Sequence, residues 1–371
     1  MTTKFLTIVC FVVLATILSL GLWPFHAPAN EVGWIGTGPG LAFGKFSTAI
    51  AAASLKATAV ARESGASAEI WMMPERIWDR STFLAFSGFG DPYKLSLRQN
   101  QMDLEIRTSR DRRAGTARFF VKRVFRKATP LFVTLTSGAH GTTVYTGGRP
   151  AGAIPELQLS AEDFTGRLVA GDSPGQTDSW RGQMLGLAIY HRELAPVEVE
   201  RHYLEWTQQG RPETGPDEGV AALYRFSERS GRVAHSSAGS GPDLLIPKRY
   251  TVVDQIFLEP FWREFSWSGS YWSAAETNII GFIPVGFSFY ALFTALRIKR
   301  AGLATVVLGT AVSATIELLQ FFLPTRDSGT TDLFTNTLGT WIGVVGYRIA
   351  WPLLAGALPA TLRDGHDGLR N

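Results

Sequence analysis

Residues 301–323 read Ala301-Gly-Leu-Ala-Thr-Val-Val-Leu-Gly-Thr-Ala-Val-Ser-Ala-Thr-Ile-Glu317-Leu-Leu-Gln320-Phe-Phe-Leu323. Residues 332–346 read Asp332-Leu-Phe-Thr-Asn336-Thr-Leu-Gly339-Thr-Trp-Ile-Gly343-Val-Val-Gly346. Both stretches have the apolar character of membrane helices, yet both carry acids and amides where hydrocarbon belongs. A carboxylate at the bilayer centre costs roughly 2.5–3.5 kcal/mol on the insertion scale. Such groups face protein or water and mark functional sites by default. A short polar turn, Pro324-Thr-Arg326-Asp327-Ser-Gly329-Thr, joins the two. The polar groups of each helix lie toward that turn, so they can meet.

Outward from this pair, the chain is of two kinds. Segments 5–23, 279–296, 303–323 and 333–354 are each close to the about 20 apolar residues that a hydrocarbon core demands, predicting four spans. The long middle is soluble in character and large enough to build a core. The single cysteine, Cys10, lies in the first apolar run, which excludes a disulfide within the chain. Ala27-Pro28-Ala29 offers a cleavage pattern, but the run before it exceeds the about 7–15 residues of a signal core, so a retained anchor is expected. Arg297-Ile-Lys299-Arg300 joins the second and third spans and belongs on the cytoplasmic side by the positive-inside rule. The N-terminus and a tail carrying Arg363 and Arg370 fall on that side too. Residues 30–270 and the 324–331 turn then lie outside.

In the middle, runs of strand length alternate with turn residues. Ala68-Glu-Ile-Trp71-Met-Met, Thr82-Phe-Leu-Ala-Phe86, Tyr93-Lys-Leu-Ser-Leu97, Met102-Asp-Leu-Glu-Ile106 and Leu131-Phe-Val-Thr-Leu-Thr136 are examples. Several alternate apolar and polar, as half-buried antiparallel strands do. Only 195–208 reads as helix. The pattern predicts a two-sheet sandwich of jelly-roll kind.

These residues resemble a family. Ala68-Glu-Ile-Trp71-Met-Met-Pro74, Phe132-Val-Thr-Leu-Thr136 with Val144-Tyr145-Thr-Gly147, and Trp180-Arg-Gly182-Gln-Met-Leu-Gly-Leu-Ala-Ile-Tyr190-His-Arg-Glu-Leu194 look like the laminin-G-like, concanavalin A-like jelly roll. Val220-Ala-Ala-Leu-Tyr224-Arg-Phe226 resembles an opening strand of such domains and is expected to complete the sandwich from late in the chain. The resemblance implies carbohydrate or surface-polymer binding. Glycoside hydrolysis is the rival, but the Glu-x-Asp-x-x-Glu strand of related glucanases does not occur. Asp103 and Glu105 alternate, and Arg107 follows in their place.

The C-terminal helices resemble a second family. Asn278-Ile-Ile-Gly-Phe282-Ile-Pro284-Val-Gly286-Phe287, Ile316-Glu317-Leu-Leu-Gln320-Phe-Phe-Leu-Pro324-Thr-Arg326 and Asp332-Leu-Phe-Thr-Asn336-Thr-Leu-Gly339 look like the VanZ-like bacterial membrane proteins, as does Gly21-Leu-Trp23-Pro24-Phe25. The resemblance supplies a location and a site, not a reaction. The expected organisation is a multidomain chain: an all-α bundle of four membrane helices plus an all-β concanavalin A-like jelly roll. Its parts are a first helix at 1–25, a jelly roll at 30–212, a late strand and interfacial connector at 213–276, a three-helix region at 277–356 and a cytoplasmic tail at 357–371.

Helix geometry gives the site content. Glu317 lies about six residues, near 9 Å, from the outer end of its helix. Gly309, Ser313, Glu317 and Gln320 share one face, as do Asp332, Asn336, Gly339, Gly343 and Gly346. Asn278, Glu317, Gln320, Arg326, Asp332 and Asn336 are expected to line one outward pocket. Two alternatives stay open: interhelical glue, with Glu317 paired to Arg326, and catalysis on a lipid-linked substrate, for which no nucleophile–base pair or metal-ligand set is visible. The expected partners are membrane lipid and a cell-envelope glycan or lipid-linked glycan. No nucleic acid, cofactor or metal is expected, the histidines being scattered.

Two further stretches stand out. Arg107 to Lys127 holds nine basic residues against one acid, Asp111. Such a block reads as a solvated hairpin or as a grip on anionic polymer or headgroups. Phe257, Phe261, Trp262, Phe265, Trp267, Tyr271 and Trp272 belong at a membrane interface.

Overall fold

The computed structural model describes residues 2–57, 65–88, 90–109, 117–125, 129–210, 212, 219–239, 241–265, 267 and 269–357. Arg363 and Arg370 lie outside these residues, as do 110–116 and 126–127 of the basic stretch. The chain divides into two compact units, Ala27–Gln255 and the combination of Met1–His26 with Ile256–Asn371.

The first unit is a jelly-roll sandwich. One sheet runs β1 (Gly33–Trp34), β2 (Leu41–Phe43), β13 (Gly182–Tyr190), β4 (Ala66–Pro74), β9 (Leu131–Gly138), β10 (Gly141–Thr146) and β11 (Arg149–Ile154). The other runs β15 (Val233–Ala234), β16 (Leu244–Leu245), β3 (Ala49–Ala51), β12 (Arg167–Ala170), β5 (Arg80–Gly88), β6 (Asp91–Asn100), β7 (Asp103–Thr108) and β8 (Ala117–Val121). Strand alternation sets the faces. Leu95, Leu97, Leu104 and Ile106 enter the core, while Arg98, Glu105 and Arg107 point outward. Trp180 fills the core centre, and its indole N–H donates to Gln99 Oε1 at 2.9 Å.

The late segment belongs to this sandwich. β14 (Val220–Tyr224) pairs antiparallel with β13, and β16 pairs with β3. The unit's two ends also meet. Asn30 N–H donates to Lys248 O, Tyr250 N–H donates to Pro28 O, and the Asn30 amide bonds Pro247 O at 3.0 Å. Residues 27–255, which keep all three bonds, are therefore expected to fold alone as a soluble monomer. A chain ending at 210 bares strand edges and loses buried Tyr224 and Phe226, so its thermal midpoint should fall by about 10 °C or it should aggregate. Size-exclusion chromatography and melting curves compare the two directly.

Among the described residues of this unit the one long helix, α2 (Pro196–Gln209), starts on proline and ends at Gly210, whose φ of 74° suits glycine. The Glu198 carboxylate accepts the Ala195 N–H and a two-pronged bond from Arg192 at 2.8 and 2.9 Å. That hydrogen bonding, above all from Arg192, holds Glu198 down to about 2. The helix lies on the β13–β4–β9 sheet. Gly186 has no side chain because a Cβ there would come 2.3 Å from the Trp206 ring. Beneath sits a fully buried carboxylate, Glu69. It accepts from Tyr190 Oη at 2.9 Å, Trp206 Nε1 at 3.0 Å and His202 Nδ1 at 2.8 Å.

The second unit is helical: α1 (Thr3–Leu22), a short α3 (Phe261–Glu264), α4 (Gly269–Ala295), α5 (Ala301–Gln320) and α6 (Thr330–Ala357). Among the described residues three helices are long and apolar enough to cross a membrane: Thr3–Leu22, Tyr271–Ala295 and Ala301–Gln320. The fourth expected span, α6, has the length but not the apolarity, because Asp332, Asn336, four threonines in its first two turns and Arg348 interrupt it. α4 begins well before residue 279, since the aromatic approach continues into the helix instead of ending before it. Side chains such as Phe11, Leu303 and Phe334 stay exposed, as a lipid-facing surface requires. α1 packs on α4 through Leu6, Cys10, Ala291 and Leu292. α4 and α6 touch backbone to backbone at Gly286, Gly339 and Gly343.

Candidate functional site

The turn between α5 and α6 gathers the polar groups. On α5, Thr305, Gly309, Ser313, Ile316, Glu317 and Gln320 are the buried residues, one face of the helix. Glu317 is 1% exposed, and its Oε2 accepts the Gly329 N–H at 2.9 Å from the turn. Asn278 of α4 donates to Asp332 Oδ1 at 2.7 Å. Asn336 of α6 donates to Ser313 Oγ at 2.9 Å. Asp332 lies within electrostatic reach of Glu317, and Glu264 within reach of both.

The other two expected residues go elsewhere. Gln320 Nε2 donates to Gly21 O at 2.8 Å, and the Arg326 guanidinium donates to Trp23 O at 2.6 and 3.1 Å. Both thus bond the last carbonyls of α1, which a helix end leaves without intrahelical donors. Small residues also divide differently from their shared face. Gly309 meets Thr340 across α5–α6, Gly339 and Gly343 meet α4, and Gly346 has open space.

Glu264 is the residue that sequence reading missed. Its Oε2 accepts the Thr331 N–H at 3.0 Å and the Thr331 hydroxyl at 2.5 Å, beside Gly329. Leu258 and Glu259 extend this contact: Glu259 N–H donates to Ser328 O, and Thr330 N–H returns to Glu259 O. An acid inside a run of interfacial aromatics was the one available signal. Among the described residues three buried polar atoms here, Gln320 Oε1, Thr325 Oγ1 and Asn336 Oδ1, have no hydrogen-bond partner. Among the described residues no group of three His, Cys, Asp or Glu side chains could hold a metal. The carboxylate and amide oxygens gathered here, with the Thr325 hydroxyl, suit a ligand bringing hydroxyl or N–H donors.

Comparison with known proteins agrees with this architecture. Residues 222–351 match the VanZ/LLP1 family, and residues 47–200 match the concanavalin A-like lectin/glucanases superfamily. The chain thus carries a concanavalin A-like jelly roll and a VanZ-like region, and it is a membrane protein. The VanZ/LLP1 match opens in β14, inside the sandwich. No curated protein matches the sequence. Among solved structures, a candidate carbohydrate-binding protein of Bacteroides ovatus is 13% identical with TM-score 0.38, over 56% of this chain and 62% of that one. A pentraxin of Limulus polyphemus is 10% identical with TM-score 0.37, over 62% and 96%. A sialidase carbohydrate-binding module of Ruminococcus gnavus, bound to sialyllactose, is 11% identical with TM-score 0.35, over 44% and 95%. The chain spans less than two thirds of the first of these, and likenesses of this size carry no argument about its ligand.

Proposed function

We propose that this is a multi-pass protein of the bacterial cytoplasmic membrane that recognises a cell-envelope glycan. Residues 30–270 lie outside the cytoplasm in this reading. The jelly roll binds the saccharide, and Asn278, Glu317, Asp332 and Asn336, with Gln320 and Arg326 at the margin, hold the head of a lipid-linked form. The observation that carries it is the set of buried acceptors at the α5–α6 turn. An unsatisfied buried acceptor costs about 1–3 kcal/mol, and a hydroxyl-rich headgroup would relieve it. The exposed Arg297, Lys299 and Arg300 between α4 and α5 support the side assignment.

A second reading, an architectural protein without a ligand, draws support from Gln320 and Arg326, which fasten the end of α1. The readings separate on conservative variants. Glu317→Gln and Asp332→Asn keep size and hydrogen bonding, so detergent melting midpoints should stay within about 3 °C of the parent. The ligand reading expects lipid-linked glycan, copurified and identified by mass spectrometry, to fall at least about tenfold in both, the about 1.4 kcal/mol of one charge-assisted bond. Copurification unchanged in both variants leaves the architectural reading. Cysteines at Ser236 and Lys299 should label oppositely with an impermeant thiol reagent in permeabilised-outer-membrane cells; equal labelling refutes the topology.

A further inference from the structure

The outer face of the second sheet carries a charge arrangement that its own packing does not explain. Arg107 of β7 and Arg118 of β8 stand directly opposite one another in register. Like charges so placed destabilise an antiparallel pair. Among the described residues one carboxylate, Glu105, serves this pair. Glu105, 1% exposed, takes Arg107 Nε at 2.6 Å and Nη2 at 3.2 Å, has Arg98 Nε at 3.5 Å, and meets Arg118 Nε only at 3.8 Å. Burial works against the Glu105 charge, yet the hydrogen bond and charge of Arg107, then Arg98 and Arg118, keep it below the ordinary carboxylate range. Arg98 is engaged besides by Asp178 and by Thr82 Oγ1 at 2.8 Å. Among the described residues three guanidiniums thus face two carboxylates, Glu105 and Asp178. Arg118, with a side chain 58% exposed, is the one left over.

Next to it on the same face is an aromatic ring. Phe120 is registered opposite Glu105 and is 42% exposed, with Lys122 Nζ 5.7 Å from its centroid. An exposed ring on a rigid strand gives a platform for the C–H face of a sugar. An arginine fork matches the planar oxygens of a carboxylate or sulfate. The geometry points to a binding site for an acidic saccharide on this face, with Phe120 under the ring and Arg118, backed by Arg107, on its anionic group. Glu105 fixes Arg107, and Arg118 stands beside an aromatic ring on the same strand, whereas a lipid-surface patch is a cluster of lysines and arginines next to a membrane helix or on an amphipathic one.

This assignment rests on the glycan-recognising reading of the jelly roll. The full-length protein in zwitterionic nanodiscs is titrated with oligogalacturonate, a sulfated galactan oligosaccharide and a maltooligosaccharide of matched length. At least one acidic ligand should bind about tenfold or more tighter than the neutral one and weaken with added salt. The carboxylated and sulfated arms tell which anion is read. Arg118→Gln should erase the acidic preference while leaving neutral binding alone, Phe120→Ala should weaken all binding, and Arg149→Gln on the other sheet should change nothing. Equal binding of acidic and neutral ligands overturns the acidic site and leaves glycan recognition standing. Loss through Arg149→Gln as large as through Arg118→Gln reduces it to diffuse charge and overturns it. Saccharides that fail to bind, with Arg118-dependent capture of phosphatidylglycerol vesicles instead, overturn both readings.

Discussion

Leucine at position 286 is expected to force α4 away from α6 and to leave little folded protein in the membrane. A Cβ on Gly286 would lie 1.9 Å from Thr340 O and 3.0 Å from Gly343 Cα. Those are backbone atoms inside a hydrogen-bonded helix, so no rotamer change can make room. Gly343→Leu meets the same obstacle from the other side, 2.2 Å from Ile283 O. Overpacking costs typically about 1–3 kcal/mol, and backbone contact places both variants at or above the upper end. Detergent melting midpoints and membrane yield measure the loss. Gly346→Leu is the internal comparison: nothing lies within 4 Å of its Cβ, so its midpoint should stay close to that of the parent.

The second large effect concerns Glu69. Glu69→Ala leaves the Tyr190 hydroxyl, the Trp206 indole N–H and the His202 imidazole without their common acceptor in a site closed to water. Removing one partner of a buried ionic contact costs about 3–5 kcal/mol, and denaturant unfolding of residues 27–255 should show a loss of that size. The contact also sets a pH dependence. Burial pushes the His202 imidazolium down, but the Glu69 hydrogen bond and charge outweigh it and hold the group above its ordinary value. A raised histidine contributes stability that is complete below about pH 6.5 and is lost as pH rises through the folded value. Glu69→Gln removes the charge and should flatten stability across that window. A parent and variant with parallel profiles would show His202 neutral throughout.

Strands whose apolar residues recur at period two are legible in the sequence itself. The three stretches around Trp71, Phe132 and Leu187 stand side by side as β4, β9 and β13. Helix spacing likewise located the buried face of α5 from Gly309 to Gln320. The α6 face was harder, because helix spacing cannot say which neighbour a face meets; Gly339 and Gly343 turn to α4 while Asn336 turns to α5. Contacts with no local signature stayed hidden. Arg326 reaches Trp23 from some 300 positions away, and Glu317 answers to a backbone N–H, which no side-chain pattern announces. His202 looked isolated because its partner Glu69 is brought to it only by the β4–β13 pairing.

The bonds that join residues 28–30 to 247–250 change how the two halves of the helical unit find each other. An unstructured excursion over Ala27–Gln255 would charge the union of α1 with α4 about 5 kcal/mol in ideal-chain closure entropy, the length-dependent part alone. Once the sandwich has folded, its exit lies beside its entrance, and the effective tether shrinks to a few residues. Helices distant in sequence then behave as near neighbours along the chain. Melting the sandwich should therefore lower the midpoint of the helical unit even where no side chain passes between them.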